Sequence, residues 1–408
     1  MEINTNILDT IDTRELGREL QAARKSRGMT QEEAAKVINA ARTTLTAIEK
    51  GERRIKANEL IMLAQTYGRQ ISDFVRPRPS LELTSIRLRG PAFLSEGDQQ
   101  QLEQSVELLR QYAMDYLELE QIVGAPLTRK YPAEYATANT SAQQAAESIA
   151  IQERNRLGLG DGPIPMLRDI LEQDVGIRVF YLPFQPSTVS ALYFYVEPLG
   201  ACIGVNAQHA EERRRWSLAR DYGHFLVARQ KSHGSFLSVY QRVPEEERLV
   251  DAFAMYFLMP TSSIIRRVND VKQAAGKFML ADLMVLAHYY GVSAEAFTRR
   301  LEGMKILPAG VWEYHNERGL SVRETRQELE LDYIPSRDHP LPMRYQLLAV
   351  NAFRDAKITE GQLARFLHVD RLEARRIVET LQEQLPYMTN ATRESDDILP
   401  GKKCSGDA

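Results

Sequence analysis

The stretch "LARDYGHFLV", residues 218–227, sets Arg220, Asp221 and His224 at spacings that a single helical face brings together. A helix reading His-Glu-x-x-His does chemistry at this spacing. Its two imidazoles, at i and i+4, hold a zinc ion, and the Glu serves as general base toward a metal-bound water. In this chain the second imidazole is present as His224, while Arg220 stands at the first position and Asp221 at the base. A guanidinium stays protonated in proteins and has no lone pair to give a metal. At about 5 Å and an effective dielectric of about 20, its charge would repel a dication by roughly 6–7 kcal/mol. Asp221, one methylene shorter than Glu, aims poorly at such a water. No catalytic residue is therefore expected here.

A second group of residues suits a different task. "RELGRELQAARKSRG" (14–28) is an amphipathic helix closed by Gly28. Thr30 followed by Glu33 makes a capping box that opens a short helix, which stops at Asn39. A further helix from about Ala41 carries Leu45 and Ile48 inward and ends at Gly51. Two short helices, a tight turn and basic residues outside form a helix-turn-helix pattern. Residues 1–79 hold 14 Lys/Arg against 11 Asp/Glu, so this segment is +3 in a chain whose net charge is -3. That local excess suits a nucleic-acid partner.

The run "GMTQEEAAKVINAARTTLTAIEKGERR" resembles the Xre (Cro-type) family of DNA-binding domains across the whole motif. The resemblance implies Gln31 at a phosphate and the exposed face of helix 42–50 in the major groove of double-stranded operator DNA. Arg42, Thr43, Thr44 and Thr46 are the implied base readers, with Lys50, Arg53 and Arg54 on the backbone. Asn39-Ala40-Ala41 replaces the more usual Gly-Val-Ser-like turn, and Asn accepts the left-handed backbone that turn needs.

After "RPRPS" the segment 81–130 reads as a helical connector, its long amphipathic helix 98–124 also suited to dimerise. "VFYLPF", "VSALYFYV" and "ACIGVN" are three short strands, followed by the His224 helix and by "EEERLVDAFAMYFLMP" (245–260). "RRRWSLARDYGHFLV" with the second helix resembles the ImmA/IrrE family of zinc metallopeptidase-like domains over about residues 135–305. Matched to that pattern, His224 is the second metal ligand and Glu247 the third, with Arg220 and Asp221 at the degenerate positions. Arg220 is expected to pair with Glu247 or Asp221, filling the place of the metal. No cofactor is expected, with zinc held weakly by His224 and Glu247 as the rival reading. His209 or His233 could substitute for the missing imidazole, but their spacing does not place them.

Toward the C-terminus, 281–312 is helical, and "ITEGQLARFLHVDRLEARRIV" sets a short helix, a turn at Val369-Asp370 and a helix with Arg371, Arg375 and Arg376. It reads as a packing or oligomerisation module, or as a second DNA-contacting helix-turn-helix. Residues 390–408 are polar and aperiodic, an expected disordered tail. The run "LGLGDG" lacks the strand and Lys of a phosphate loop.

The expected architecture is mainly α. An all-α helix-turn-helix domain over 1–80 and the connector precede an α+β zincin-like domain with a small sheet over 131–305. A helical region over 306–389 follows. Cys202 and Cys404 lie far apart, no apolar run approaches membrane-spanning length, and the N-terminus has no secretory h-region. These features suit a cytoplasmic protein with no membrane partner. The expected function is a homodimeric transcriptional regulator whose degenerate peptidase domain senses a small-molecule effector or a protein. An antitoxin that caps a toxin and represses its own operon is the second reading, and an active zinc peptidase that cleaves a repressor is the third.

Overall fold

A computed structural model describes residues 12–69, 71, 74, 95–136, 140–236, 245–318, 321–331 and 339–381. The chain divides into two compact units, 1–87 and 88–408. Among the described residues the fold is mainly helical with one small sheet, as expected, and that sheet has four strands.

The first unit is built on α1 (Thr13–Ser26), α2 (Gln31–Val37), α3 (Arg42–Glu49) and α4 (Ala57–Tyr67). The Thr30 hydroxyl accepts from the Glu33 amide at 3.2 Å and the Glu33 carboxylate accepts from the Thr30 amide at 2.7 Å, closing the capping box. Asn39 takes the left-handed conformation at φ 52°. Leu20, Ala34, Leu45, Leu60 and Leu63 form a closed core in which each buried Leu contributes roughly 1.5–3 kcal/mol. Gly17 lets α1 touch α3: a Cβ there would stand 2.5 Å from the Ile48 carbonyl oxygen.

The second unit begins with α5 (Glu96–Val123) and α6 (Ala142–Arg156), then α7 (Leu167–Ile170), which runs into a π turn to Val175. Strands β1 (Arg178–Leu182), β2 (Val189–Val196) and β3 (Gly200–Asn206) follow, then α8 (Glu211–Ala228), β4 (His233–Phe236) and α9 (Glu245–Leu258). Helices α10 (Thr261–Ala275), α11 (Leu280–Tyr290), α12 (Ala294–Gly303), α13 (Val311–Glu317) and α14 (Val322–Glu328) come next. The described chain ends with α15 (Met343–Arg354), α16 (Glu360–Leu367) and a helical run 371–381.

The sheet order is β1-β3-β2-β4, parallel between β1 and β3 and antiparallel elsewhere. The three expected strands are present, and β4 is a fourth that the sequence reading missed. It is short and pairs Gly234 with Leu192 and His233 with Tyr193 on an edge, so its register is set by tertiary pairing and not by local alternation. Helix α8 packs on β2 and β3.

Within the segment expected as a connector, α5 buries Leu109, Ala113, Tyr116 and Leu119 inside its own unit. Glu120 pins it to β1 through Arg178 at 2.6 Å and to α15 through Arg344 at 2.9 Å. The helical stretch 281–312 is interrupted at Gly291 and again before Gly310. The C-terminal turn is made by His368 in the left-handed conformation, at φ 55°, just before the expected position. The expected tail, 390–408, lies outside the described residues. Among the described residues no helix is long and apolar enough to cross a membrane.

Candidate functional site

In the first unit, α3 shows Arg42 and Thr43 exposed, with Thr44 and Thr46 half-exposed and Lys50 exposed just beyond. Thr46 donates its hydroxyl to the Arg42 carbonyl at 2.9 Å and to the Gln31 side-chain oxygen at 3.3 Å. Gln31 in turn donates to Glu49 at 2.9 Å, so it ties α2 to α3 from the inside of the motif. Arg53 is held by Glu59 at 2.9 Å, and Arg54 is exposed.

Behind this face lies a buried hub that the sequence reading missed. Arg24 on α1 meets Glu49 on α3 at 2.5 and 3.1 Å and reaches the Met29 carbonyl at 2.7 Å. Burial pushes the Glu49 carboxyl up, but hydrogen bonds from Arg24, Gln31 and Gln21 outweigh it and hold the group below its ordinary value. The available signal was a Glu directly after the inward Ile48, on a helix whose inward face is otherwise apolar.

In the second unit, α8 and α9 lie side by side because Gly223 leaves room for Phe253 and Val250, which a Cβ would meet at 2.9 and 3.3 Å. That close approach brings Arg220, His224, Glu247 and Asp251 together. Arg220 makes an ion pair with Glu247 through Nη2 and a second with Asp251 through Nε at 2.8 Å. His224 is almost fully buried, and its Nε2 faces Glu247 Oε1 at 3.6 Å. The His224 ring, together with the charge of Arg220, holds the Glu247 carboxyl down at about 2 against the effect of burial. Burial lowers the His224 pKa, which favours the neutral ring.

The expected pairing of Arg220 with Glu247 is present, but Asp221 is elsewhere. It is fully buried and faces His233 Nε2 at 3.3 Å. Asp251, one turn after Glu247, takes the second place at the guanidinium. Sequence reasoning missed Asp251, although its i+4 spacing from Glu247 was the available signal. Of the two spare histidines, His233 arrives beside His224 with ring centroids 3.7 Å apart. His209 binds the Ser187 carbonyl at 3.0 Å instead.

A zinc site of the His-Glu-x-x-His kind needs three protein ligands and an open position. Here a group without a lone pair covers the Glu247 carboxylate that such a site would use. Among the described residues no group of three or more His, Cys, Asp or Glu is placed to hold a metal ion. With Arg220 and Asp221 in place of the first imidazole and the Glu, the His-Glu-x-x-His set is incomplete.

The comparisons with known proteins agree with this layout. Residues 172–302 match the model of the IrrE N-terminal-like domain. Residues 20–74 match a helix-turn-helix model. No curated protein matches the chain. Among solved structures, the crystal structure of Bacillus thuringiensis PlcR in complex with a peptide and DNA aligns with 95% of this chain and 100% of that one, at 12% identity and a TM-score of 0.18. The crystal structure of ComR from Streptococcus suis aligns with 92% and 96%, at 11% identity and a TM-score of 0.16. The chain joins an Xre-type helix-turn-helix domain to an IrrE-like domain, in that order.

Proposed function

We propose that the protein is a sequence-specific DNA-binding regulator and that its IrrE-like domain recognises a ligand or partner without hydrolysing it. The carrying observation is the double ion pair of Arg220 with Glu247 and Asp251, where a working peptidase of this kind would hold its metal. In the first unit, the exposed face of α3 supports insertion into the major groove. Arg42 and Thr43 reach base edges, and Lys50 and Arg54 lie on phosphates. Gln31 and Arg53 keep α3 and the start of α4 in place for that contact. Two copies on paired half-sites would match the usual geometry of such domains. A cytoplasmic location follows from this role.

The coupling requires that whatever the second unit binds has different affinities for DNA-competent and DNA-incompetent states. The test is fluorescence anisotropy of the full chain on its own upstream DNA and on a scrambled duplex. Specific binding that weakens in Arg42→Ala, with no polypeptide cleaved by the purified chain, supports the reading. Equal affinity for both duplexes, or cleavage of a protein substrate that is lost in His224→Ala, overturns it.

A further inference from the structure

The second unit contains a cavity of about 490 Å³, away from Arg220 and His224, walled by α7, β1, the start of α8 and the end of α11. That volume falls within the range of small-molecule sites, roughly 300–1,000 Å³. Its walls are mostly apolar, with Pro163, Met166, Tyr181 and Tyr289 contributing, and two charged side chains are buried in them, Arg168 and Arg215.

Among the described residues both guanidiniums give their hydrogen bonds to main-chain carbonyls. Arg168 donates to Val179 at 3.2 Å, His339 at 2.7 Å and Pro340 at 2.8 Å. Arg215 donates to Gly291 at 3.1 Å, Pro165 at 3.2 Å and Ile164 at 2.6 Å. Three carbonyls fix the direction of each fork, but each guanidinium carries five N–H donors. Carboxylates stand near both, Glu172 and Asp169 toward Arg168 and Glu211 and Glu212 toward Arg215, yet among the described residues none hydrogen-bonds to either guanidinium, and burial still lowers both pKa values. An anion hydrogen-bonded to either would make the charge-assisted contact that those carboxylates do not.

Two carboxylates also line the space, Asp169 and Glu211. Glu211 is engaged by Arg214 at 2.7 Å, and the Arg214 guanidinium stands 5.0 Å from the Tyr181 ring centre, with Arg168 at 4.4 Å. Arg168 and Arg214 therefore flank one aromatic ring at the cavity wall.

We propose that this cavity binds a small apolar or aromatic carboxylate, its acid group directed at Arg168 and Arg215 and its apolar part against Tyr181, Met166 and the prolines. The carbonyls that orient Arg168 belong to β1 and to the segment leading into α15. Binding in this cavity does not depend on whether the first unit grips DNA. Loss of one property therefore leaves the other measurable.

The experiment is calorimetric titration of the full chain with phenylacetate, benzoate and octanoate. Phenylacetamide and phenethylamine serve as charge controls. Met166, at the rim and 41% exposed, is changed to Glu to place a repelling carboxylate at the mouth without disturbing the core. The expected result is saturable binding of at least one acid, with its neutral or cationic analogue weaker by about tenfold or more, the loss of one charge-assisted contact. Met166→Glu is expected to weaken the acid by a similar factor at an unchanged melting temperature. Equal binding of phenylacetate and phenylacetamide overturns the proposal. So does an absence of saturation by all three acids at ~10 mM, a concentration that would reveal even millimolar affinity. Unaltered acid binding by Met166→Glu would overturn it as well.

Discussion

Changing Arg220 to Met keeps most of the side chain's length and its apolar stem while removing the charge between α8 and α9. The Arg220–Asp251 contact at 2.8 Å corresponds to about 6 kcal/mol at an effective dielectric of about 20, before desolvation. Desolvating a guanidinium whose side chain is only 14% exposed offsets much of this, and the Asp251 side chain, 48% exposed, is partly screened by water. Losing one partner of a buried pair costs about 3–5 kcal/mol, so a half-buried double pair points to a net loss of about 2 kcal/mol. Part of that loss is repulsion between Glu247 and Asp251, left one turn apart with no cation. The double variant Arg220→Met with Glu247→Gln should therefore recover part of the stability. The assay is urea denaturation followed by circular dichroism, with the second unit's transition analysed as a double-mutant cycle. A coupling of about 1–2 kcal/mol is expected. A single variant within about 0.5 kcal/mol of the parent, or a coupling near zero, refutes the reasoning.

The same cluster has an acid limb. Facing His224, and under the Arg220 charge, the Glu247 carboxyl is held down at about 2, below its unfolded value of 4.5. Its contribution is thus complete above pH 4.5 and lost as the pH falls toward 2. Acid denaturation should be less steep over that window in Glu247→Gln, checked by pH-dependent melting.

Other outcomes follow from separate parts of the fold. Burial pushes the Glu172 carboxyl up to about 7 from 4.5. The folded state then keeps a proton that the unfolded chain releases, so stability falls as the pH rises from 4.5 to 7. Two and a half units at about 1.4 kcal/mol each amount to about 3.5 kcal/mol, and Glu172→Gln should flatten that slope of melting temperature against pH. Parallel slopes would contradict this. Gly17→Ala drives a methyl into the carbonyls of Ile48 and Glu49. It should destabilise the first unit by about 1–3 kcal/mol and impair DNA binding, with the second unit's melting unchanged. On the cognate duplex, Arg42→Ala should cost about 1–3 kcal/mol and relax sequence preference, whereas Lys50→Ala should lower the salt slope by about one without altering preference. Anisotropy titrations across salt concentrations separate the two.

The first unit was largely legible because its signals are local. Thr30 and Glu33 lie three residues apart, Asn39 supplies its own left-handed turn, and Leu45 and Ile48 repeat with the helical period. The Arg24–Glu49 hub was not legible, because it joins residues 25 apart whose types suit exposed positions equally well. In the second unit, Arg220 and Glu247 were legible as partners because each occupies a fixed place in a motif. The destinations of Asp221 and His233 depend on β4, an edge strand whose register is set by Tyr193 across the sheet. Helix α5 reads as amphipathic from sequence, but its apolar face was free to suit a second copy or its own sheet. Leu109 packed against Gly204 is a tertiary fact with no local signature. The cavity at Arg168 and Arg215 was invisible for the same reason, since its walls come from segments more than a hundred residues apart.

The most direct test of the account is zinc stoichiometry in the purified full chain, measured beside the variant Arg220→His with Asp221→Glu. With a guanidinium bound to Glu247 and Asp251, the unaltered chain should take up no tight zinc, while the variant, supplied with the missing imidazole and base, should take up about one ion per chain. One tight zinc in the unaltered chain, lost in His224→Ala, would contradict it.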